Sequence, residues 1–337
     1  MFADLLNKEI KSSFAGYNVE SIKIIGDTKP WTRGFITGIE PTRNVWEVQK
    51  AAGHDFTAEM KPVFTNINGQ YIAIDDKSIC VDAKTQKPLG NGVVGAGYTP
   101  TQPDELYQIA DDLLKLDDSI MVTDFIKRDD NHFMGIQLNT GEWSPTHDSA
   151  DILQNNITLF TSFDGSKVTG TKTSSFRVVC RNTFAMAKLI HSIKHTKNYK
   201  EKLNDLRRLL GINLKEIQAT NQKIQRLVDV KMSNGQASQW FESLLLAGKD
   251  KPKEGRGLTV LTNNVNDFER LLLNGAGAES GKGTAYAAWN ALTNYTTHER
   301  STRVTEGAKI EDLRFESNLF GTSSVLAQRG FEQLARM

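Results

Sequence analysis

The segment NGAGAESGKGT, residues 274–284, contains the residue types of a phosphate-binding loop. In such a loop, backbone amides cradle the phosphates, a lysine neutralises them and a hydroxyl holds magnesium. The spacing does not fit, because the motif G-x-x-x-x-G-K-[ST] needs a glycine five positions before Gly281, where an alanine stands. It also needs a hydroxyl directly after Lys282, where another glycine stands. We therefore predict a helix–loop–helix connection in which Thr284 caps the second helix.

A second group of residues has the chemistry of a metal-dependent nuclease. Its members are Asp129, Asp130, His132, His147, Asp148 and Asp151. Aspartates at turns often bond to the local backbone instead, and no H-x-H or H-E-x-x-H spacing indicates a metal site. A nuclease that uses Asp130, His132, His147 and Asp148 is kept as the alternative function, and we predict no catalytic residue, no resident metal and no cofactor.

The stretch FTSFDGSKVTGTKTSSFRVVCRNTF, residues 160–184, interleaves cations with aromatic rings. Proteins hold single-stranded nucleic acid with cations along the phosphates and aromatic rings stacked on the bases. The residues predicted to contact phosphates are Lys167, Lys172, Arg177, Arg181, Lys188 and Lys194. The residues predicted to stack on bases are Phe163 and Trp143. The alternative interpretation places the phenylalanines in the core and the cations in solvent.

Strand alternation divides the end of this stretch into two faces. Residues of one parity share a face, so Arg177 and Arg181 lie together, opposite Phe176 and Cys180. We predict that the arginine face is exposed and that the Phe176 face is buried.

Charge is unevenly distributed along the chain of 337 residues, although the net charge is only +1. Residues 101–164 carry 13 acids and 3 bases, whereas residues 167–231 carry 15 bases and 4 acids. Such an asymmetry is typical of a nucleic-acid-binding face, and also of solvated faces that pair with each other. Two cysteines are too few for a disulfide framework or a cysteine-based zinc site. Without a signal peptide or a membrane span in the sequence, we expect a location in the cytoplasm.

Hydrophobic periodicity predicts an α+β fold with an antiparallel meander. A helix in residues 98–116 precedes four short strands, which begin near residues 119, 132, 155 and 171. A further helix is predicted over RNTFAMAKLIHSIKH, residues 181–195, and would extend the cationic track through Lys188 and Lys194. The predicted domains are an α+β domain in residues 1–198 and a mainly helical region in residues 199–337, with a candidate linker at 248–257.

Apolar residues in the helical region are spaced like those of a coiled-coil seam. They are Leu203, Leu206, Leu210, Ile217, Ile224 and Val228. This pattern favours a helix packed on its own domain, and a self-association arm is the alternative.

Two segments, VVGAGYTPTQPDELYQIADDLL and SSFRVVCRNTFAMA, resemble the phage/plasmid-like protein family. The segments TAYAAWNALTNYTTHER and RFESNLFGTSSVLAQR are also similar to that family, so the resemblance spans roughly residues 30–330. Members carry a domain of unknown function and occur on phages, prophages and plasmids. The predicted order of elements is similar in outline to single-strand annealing recombinases of the Red-beta and ERF kind, an analogy of topology that does not fix function.

The sequence thus predicts a mobile-element-encoded, non-enzymatic protein of the host bacterial cytoplasm that binds single-stranded DNA. It would promote strand annealing and recombination as a homo-oligomer. Besides the nuclease, a second alternative is a protein that binds a host protein through its helical half.

Overall fold

The computed structural model describes residues 22–25, 36–128, 132–146, 151–177, 188–208, 210–275, 277–301 and 310–337. The strands are β1 (Ile36–Thr42), β2 (Ala58–Ile67), β3 (Gln70–Asp82), β4 (Val94–Gly95), β5 (Met121–Lys127), β6 (Phe133–Trp143), β7 (Leu153–Ser162), β8 (Thr169–Arg177) and β9 (Lys188–Ile193). The helices are α1 (Val45–Ala52), α2 (Pro103–Leu114), α3 (Tyr199–Arg208), α4 (Leu210–Asp229), α5 (Asn234–Leu246), α6 (Gly255–Asn274), α7 (Ala285–Asn294), α8 (Ile310–Phe320) and α9 (Thr322–Leu334). A π-helical turn, Tyr295–Glu299, continues α7.

The strands form two antiparallel sheets, which confirms the predicted α+β class. The larger sheet has the order β1-β5-β6-β7-β8-β9, and the smaller has the order β2-β3-β4. Strands β5 to β8 follow one another in both sequence and space, as the meander prediction required. No helix within the described ranges is both long enough and apolar enough to cross a membrane.

The helix predicted after β8 is wrong where the structure describes that segment. Residues Lys188–Ile193 form strand β9, which lies beside β8 at the edge of the larger sheet. Pairing with a neighbouring strand outweighs a helix propensity that is weak for a sequence such as KLIHSI. Lys188 is therefore on a strand, and Lys194 directly follows that strand.

The described chain groups into two compact units whose segments alternate along the sequence. Of the described residues, the first unit contains those within 22–140, 157–172 and 189–213, and the second contains those within 141–156, 173–177 and 214–337, together with residue 188. All described elements after residue 198 are helical, as the sequence predicted. The position 198 thus marks a change in secondary structure, and neither unit ends there.

Helix α2 of the first unit is fixed at both ends by side chains. Pro103 occupies its first turn, and Gln102 and Glu105 form a capping box that satisfies the free amides there. At the other end, the Arg43 guanidinium donates to the carbonyl oxygens of Leu114 at 2.7 Å and Asp118 at 2.7 Å. A cation at a helix carboxyl end is favoured by the helix dipole. Arg43 thus fixes where α2 ends.

The second unit has a core of helices rich in aromatic residues. The Phe241 and Phe268 rings stack with centroids 4.2 Å apart, and Tyr295 meets Phe241 edge-on at 5.2 Å. Trp289 is fully buried and lies 5.7 Å from the Phe331 ring. Each large ring removes roughly 150–250 Å² from water, so this cluster is a main source of the unit's stability.

His54 of the first unit is completely buried, and its Nδ1 lies 2.9 Å from the Tyr107 hydroxyl. Burial, with a smaller contribution from the Lys127 charge, lowers the pKa of His54 to about 3. The imidazole is therefore neutral in the folded protein at pH 7.

We expect acid to destabilise the first unit through His54. The unfolded imidazole binds a proton near its ordinary pKa of 6.5 and the native one near 3, so protonation favours unfolding throughout that interval. The free energy of unfolding should fall less between pH 7 and pH 4.5 in His54→Gln than in the unsubstituted protein, because glutamine does not titrate. Urea denaturation at the two pH values measures the difference, and equal losses in both proteins would contradict the assignment.

Candidate nucleic-acid interface

Arg177 was predicted to be exposed, and this prediction is wrong. Its side chain is only 1% exposed, and its Nε donates to Oδ1 of Asp151, which is itself fully buried. A second nitrogen, Nη2, donates to the carbonyl oxygen of Gly277 at 3.1 Å, and the guanidinium carbon lies 5.7 Å from the centre of the Tyr286 ring. Strand β8 is buried on both faces, so alternation along it separates two buried surfaces. Phe176 is buried, as predicted.

The Arg177–Asp151 pair is an internal structural contact of the second unit. Two charges removed from water are tolerated only when they pair and their remaining polar groups are bonded. The carbonyl of Gly277 and the face of Tyr286 supply further partners for the guanidinium. A guanidinium held in this way cannot also contact a phosphate, so Arg177 has no place in the candidate interface.

The glycine-rich loop is explained by this buried arginine. Gly277 has φ +75°, and a Cβ atom there would lie 2.4 Å from Nη1 of Arg177. The loop follows helix α6, not a strand, so the helix–loop–helix prediction is confirmed. Thr284 occupies the N-cap position of α7, but its hydroxyl donates to the carbonyl of Gly281. Lys282 pairs with Glu279 at 3.1 Å on the surface of the loop.

Removing one member of the buried pair should be more harmful than removing both. We expect Asp151→Asn to lower the free energy of unfolding by about 3–5 kcal/mol, because it leaves the guanidinium charge buried without its counter-charge. The double variant Asp151→Leu/Arg177→Met should lose clearly less, because no uncompensated charge remains. Urea denaturation of the three proteins tests this, and a double variant less stable than Asp151→Asn would refute it.

Two glycines of the loop provide a matched test of the close approach to Arg177. Gly277 and Gly283 share φ +75°, but a Cβ at Gly283 would meet nothing within 4 Å. Both alanine variants incur the backbone strain of a left-handed residue, which is about 1 kcal/mol. Gly277→Ala should be substantially less stable than Gly283→Ala, since only the former displaces the guanidinium. Equal melting temperatures would mean that the contact with Arg177 does not constrain position 277.

The two aromatic residues predicted to stack on bases lie inside the protein. Phe163 is fully buried in the first unit, where its ring meets the Phe56 ring edge-on at 5.4 Å. Trp143 is half-buried and packs against the hydrophobic cluster of the second unit. A base needs an open ring face, so the burial of Phe163 contradicts its predicted role, and Trp143 has at most part of its ring available.

The predicted cations have different environments. Lys172 is buried, and desolvation, with a smaller contribution from Lys167, lowers its pKa to about 8. Lys167 is half-buried, and Lys194 is exposed. Arg181 lies outside the described residues, as does the side chain of Lys188. Three of the predicted lysines are thus described, and all three belong to the first unit.

His195 organises the surface around Lys194. Its ring stacks on Tyr98, with centroids 4.6 Å apart, and on Tyr199 at 5.8 Å. Its Nδ1 lies 3.0 Å from the carbonyl oxygen of Thr99, and its Nε2 lies 3.4 Å from the Thr169 hydroxyl. Because the carbonyl oxygen can only accept, Nδ1 is the donor in the bond to Thr99. Burial is the main cause that lowers the pKa of His195, so the ring is neutral at pH 7.

This anchored histidine fixes a cationic surface of the first unit. Lys194 and Lys197 flank it in the sequence and are both exposed. A Cβ atom added at Gly97 would lie 3.9 Å from the Lys197 Cε, so the Lys197 side chain lies beside Gly97, the residue before the stacked Tyr98. We call Lys167, Lys172, Lys194 and Lys197 the cationic patch. Sequence reasoning missed Lys197, although the run IKHTKNYK, residues 193–200, could have indicated it.

Most of the candidate metal cluster lies outside the described residues, namely Asp129, Asp130, His147 and Asp148. Asp151, which the structure does describe, forms the buried ion pair with Arg177. Across the described ranges, no group of three or more histidines, cysteines or carboxylates could hold a metal ion.

The second unit also contains a cleft that is open to solvent. Strand β8 contributes the hydroxyls of Thr173, Ser174 and Ser175, and the opposite side includes Lys223 and Glu332. One cation and one carboxylate give this cleft no excess charge, so it does not suit a phosphate ligand.

The family model described as "Domain of unknown function (DUF932)" matches residues 91–317. The match covers more than half of the chain, which therefore belongs to the DUF932 family. No curated protein and no solved structure matches the chain. The match confirms a domain of unknown function, as the resemblance implied, while a phage or plasmid origin stays a prediction.

Proposed function

We propose that this DUF932 protein binds single-stranded DNA through the cationic patch of its first unit, without catalysing a reaction. In the proposed setting, a phage or plasmid in a bacterial cytoplasm, it would promote strand annealing as a homo-oligomer. Arg177 and Phe163 are no part of this proposal, because both side chains are buried.

One observation carries the proposal, namely the exposure of Lys194 and Lys197 beside the anchored His195. Neither lysine forms an ion pair with any residue in the described part of the chain. The backbone between them is held by His195, whose carbonyl also accepts from the Thr99 amide at 3.3 Å. Cations with a fixed spacing and no protein counter-charge suit phosphate oxygens, because binding them releases counterions from the nucleic acid.

Lys167 and Lys172 extend the same positive field. Lys172 is buried, and because its pKa is lowered to about 8, its ammonium group loses its charge as the pH rises above that value. At pH 7 it is mainly protonated, so it adds to the potential felt by a phosphate near Lys167. The preference for single over double strands is supported by the resemblance to annealing recombinases, which is why both forms of DNA belong in the test.

Reversing two charges of the cationic patch should weaken DNA binding. We expect Lys194→Glu/Lys197→Glu to lower the affinity for an oligothymidine at least about tenfold, and to reduce the slope of log K against log salt by about one to two units. The unsubstituted protein should show a slope of roughly −2 if Lys167, Lys194 and Lys197 contact phosphates. Fluorescence anisotropy with labelled single strands and duplexes, across a range of salt concentrations, measures these quantities.

The matched control is Lys249→Glu/Lys253→Glu, which changes the net charge equally at two exposed lysines between α5 and α6. Equal loss of binding in the two double variants would show a non-specific charge effect and refute the patch. Repeating the titration with magnesium separates the alternatives. Cleavage that needs magnesium would favour the nuclease, and the absence of any DNA binding would favour the host-protein binder.

A further inference from the structure

The hairpin formed by β2 and β3 exposes an uncharged, apolar surface. Its turn is Asn68-Gly69, with φ 51° and 87°, the combination that favours a tight two-residue hairpin. The twelve residues 63–74 contain no charged side chain. Five large apolar side chains there are between 41% and 77% exposed, namely Phe64, Ile67, Tyr71, Ile72 and Ile74. Monomeric proteins seldom leave such a surface in water without a use for it.

The two edges of this hairpin differ. On β2, the outward amide and carbonyl of Ala58 both bond to the Gln102 side chain. Backbone groups at every second position of a strand point to the same side, so Pro62 faces outward as Ala58 does. Proline has no backbone N–H, so this position offers no hydrogen-bond donor to a further strand. Proline on an edge is a common protection against pairing with another strand. The edge of β2 is thus closed between Ala58 and Pro62.

The edge of β3 is open near the turn. Strand β4 covers β3 only at Lys77 and Ser78. The register pairs Ile67 with Gln70 directly beside the two-residue turn. The backbone groups of Gln70 and Ile72 therefore bond to β2. Those of Tyr71 and Ala73, which lie between and after them, point outward from the hairpin. No proline and no charge protects this stretch, and an unprotected edge is a template for a further strand.

We propose that residues 70–74 of β3 pair antiparallel with the same residues of a second copy of this chain, about a twofold axis at Ile72. In this register Tyr71 faces Ala73 of the other copy, and their outward amides and carbonyls form reciprocal hydrogen bonds. Ile72 then faces its own symmetry mate in a pair without backbone bonds. The inference specifies the surface of the proposed homo-oligomer and does not depend on DNA binding.

The chemistry of the edge favours this partner. The register of the hairpin places Phe64 and Tyr71 on one face and Ile67 and Ile72 on the other, so pairing at the edge of β3 would continue both apolar faces into the second copy. The absence of cations in residues 63–74 disfavours a nucleic acid as the occupant, because phosphates require them.

Placing a charge on the axis should separate the copies. We expect Ile72→Lys to weaken self-association at least tenfold, measured by sedimentation velocity over a range of concentrations. The control is Val260→Lys on α6, where the residue is 48% exposed, compared with 47% for Ile72. Both sites are exposed, and thermal melts should show that both variants stay folded. A protein that stays monomeric over the whole range of concentrations would overturn the proposal.

Cross-linking tests the register itself. Directly opposed residues in an antiparallel pair have Cα atoms about 4.5–5.5 Å apart, within the range that a disulfide bridges. In a Cys180→Ser background, Ile72→Cys should form a covalent dimer on mild oxidation, and Val260→Cys should not. The native Cys80 is buried, and burial raises its thiol pKa to about 12, so it should not interfere.

Two outcomes would overturn this assignment. The first is cross-linking that is equal at both positions. The second is an Ile72→Lys protein that keeps its mass and loses DNA binding, which would make the hairpin a base-stacking arm. A loss of mass with unchanged single-strand affinity would support the self-association surface independently of the proposed function.

Discussion

The buried ion pair between Arg177 and Asp151 is the contact on which the packing of the glycine-rich loop against strand β8 depends in the second unit. A guanidinium inside a protein needs a counter-charge and further acceptors, since its desolvation is otherwise too costly. Asp151 supplies the charge, the carbonyl of Gly277 supplies an acceptor, and the ring of Tyr286 covers one face. These partners come from segments more than 100 residues apart in the sequence. The pair therefore fixes where the glycine-rich loop and the start of α7 lie relative to the end of β8.

That constraint also separates the roles of cations that are neighbours in the sequence. On β8, Arg177 and Lys172 both lose most of their contact with water, one in a buried pair and the other with a lowered pKa. The lysines after β9 stay in solvent, because His195 anchors the backbone beneath them and its ring fills the space between Tyr98 and Tyr199. Among the described residues, the predicted phosphate-contacting cations that keep contact with solvent are Lys167 and Lys194, and both belong to the first unit.

The first unit presents two exposed surfaces with opposite chemistry. The cationic patch presents the exposed side chains of Lys194 and Lys197, so it would suit the polyanion that we propose. The outer part of the β2–β3 hairpin has apolar side chains and free backbone groups but no charge, so it suits another strand. Phosphates avoid an apolar edge, and a strand gains little from exposed lysines. The proposed self-association and the proposed nucleic-acid binding would therefore use different residues of the first unit.

The sequence by itself determined the α+β class, the meander of β5 to β8, helix α2 and the structural nature of the glycine-rich loop. These depend on local periodicity, on caps such as Gln102 and Glu105, and on spacing, all of which are short-range. Only the tertiary structure decided that Arg177 and Phe163 are buried, that residues 188–193 form a strand, and that Lys197 joins the cationic patch. Alternation assigns residues to two faces of a strand but cannot say whether the second face is covered. That coverage is set by segments distant in sequence, Asp151 and Gly277 for Arg177 and Phe56 for Phe163, which pattern along one strand cannot reveal.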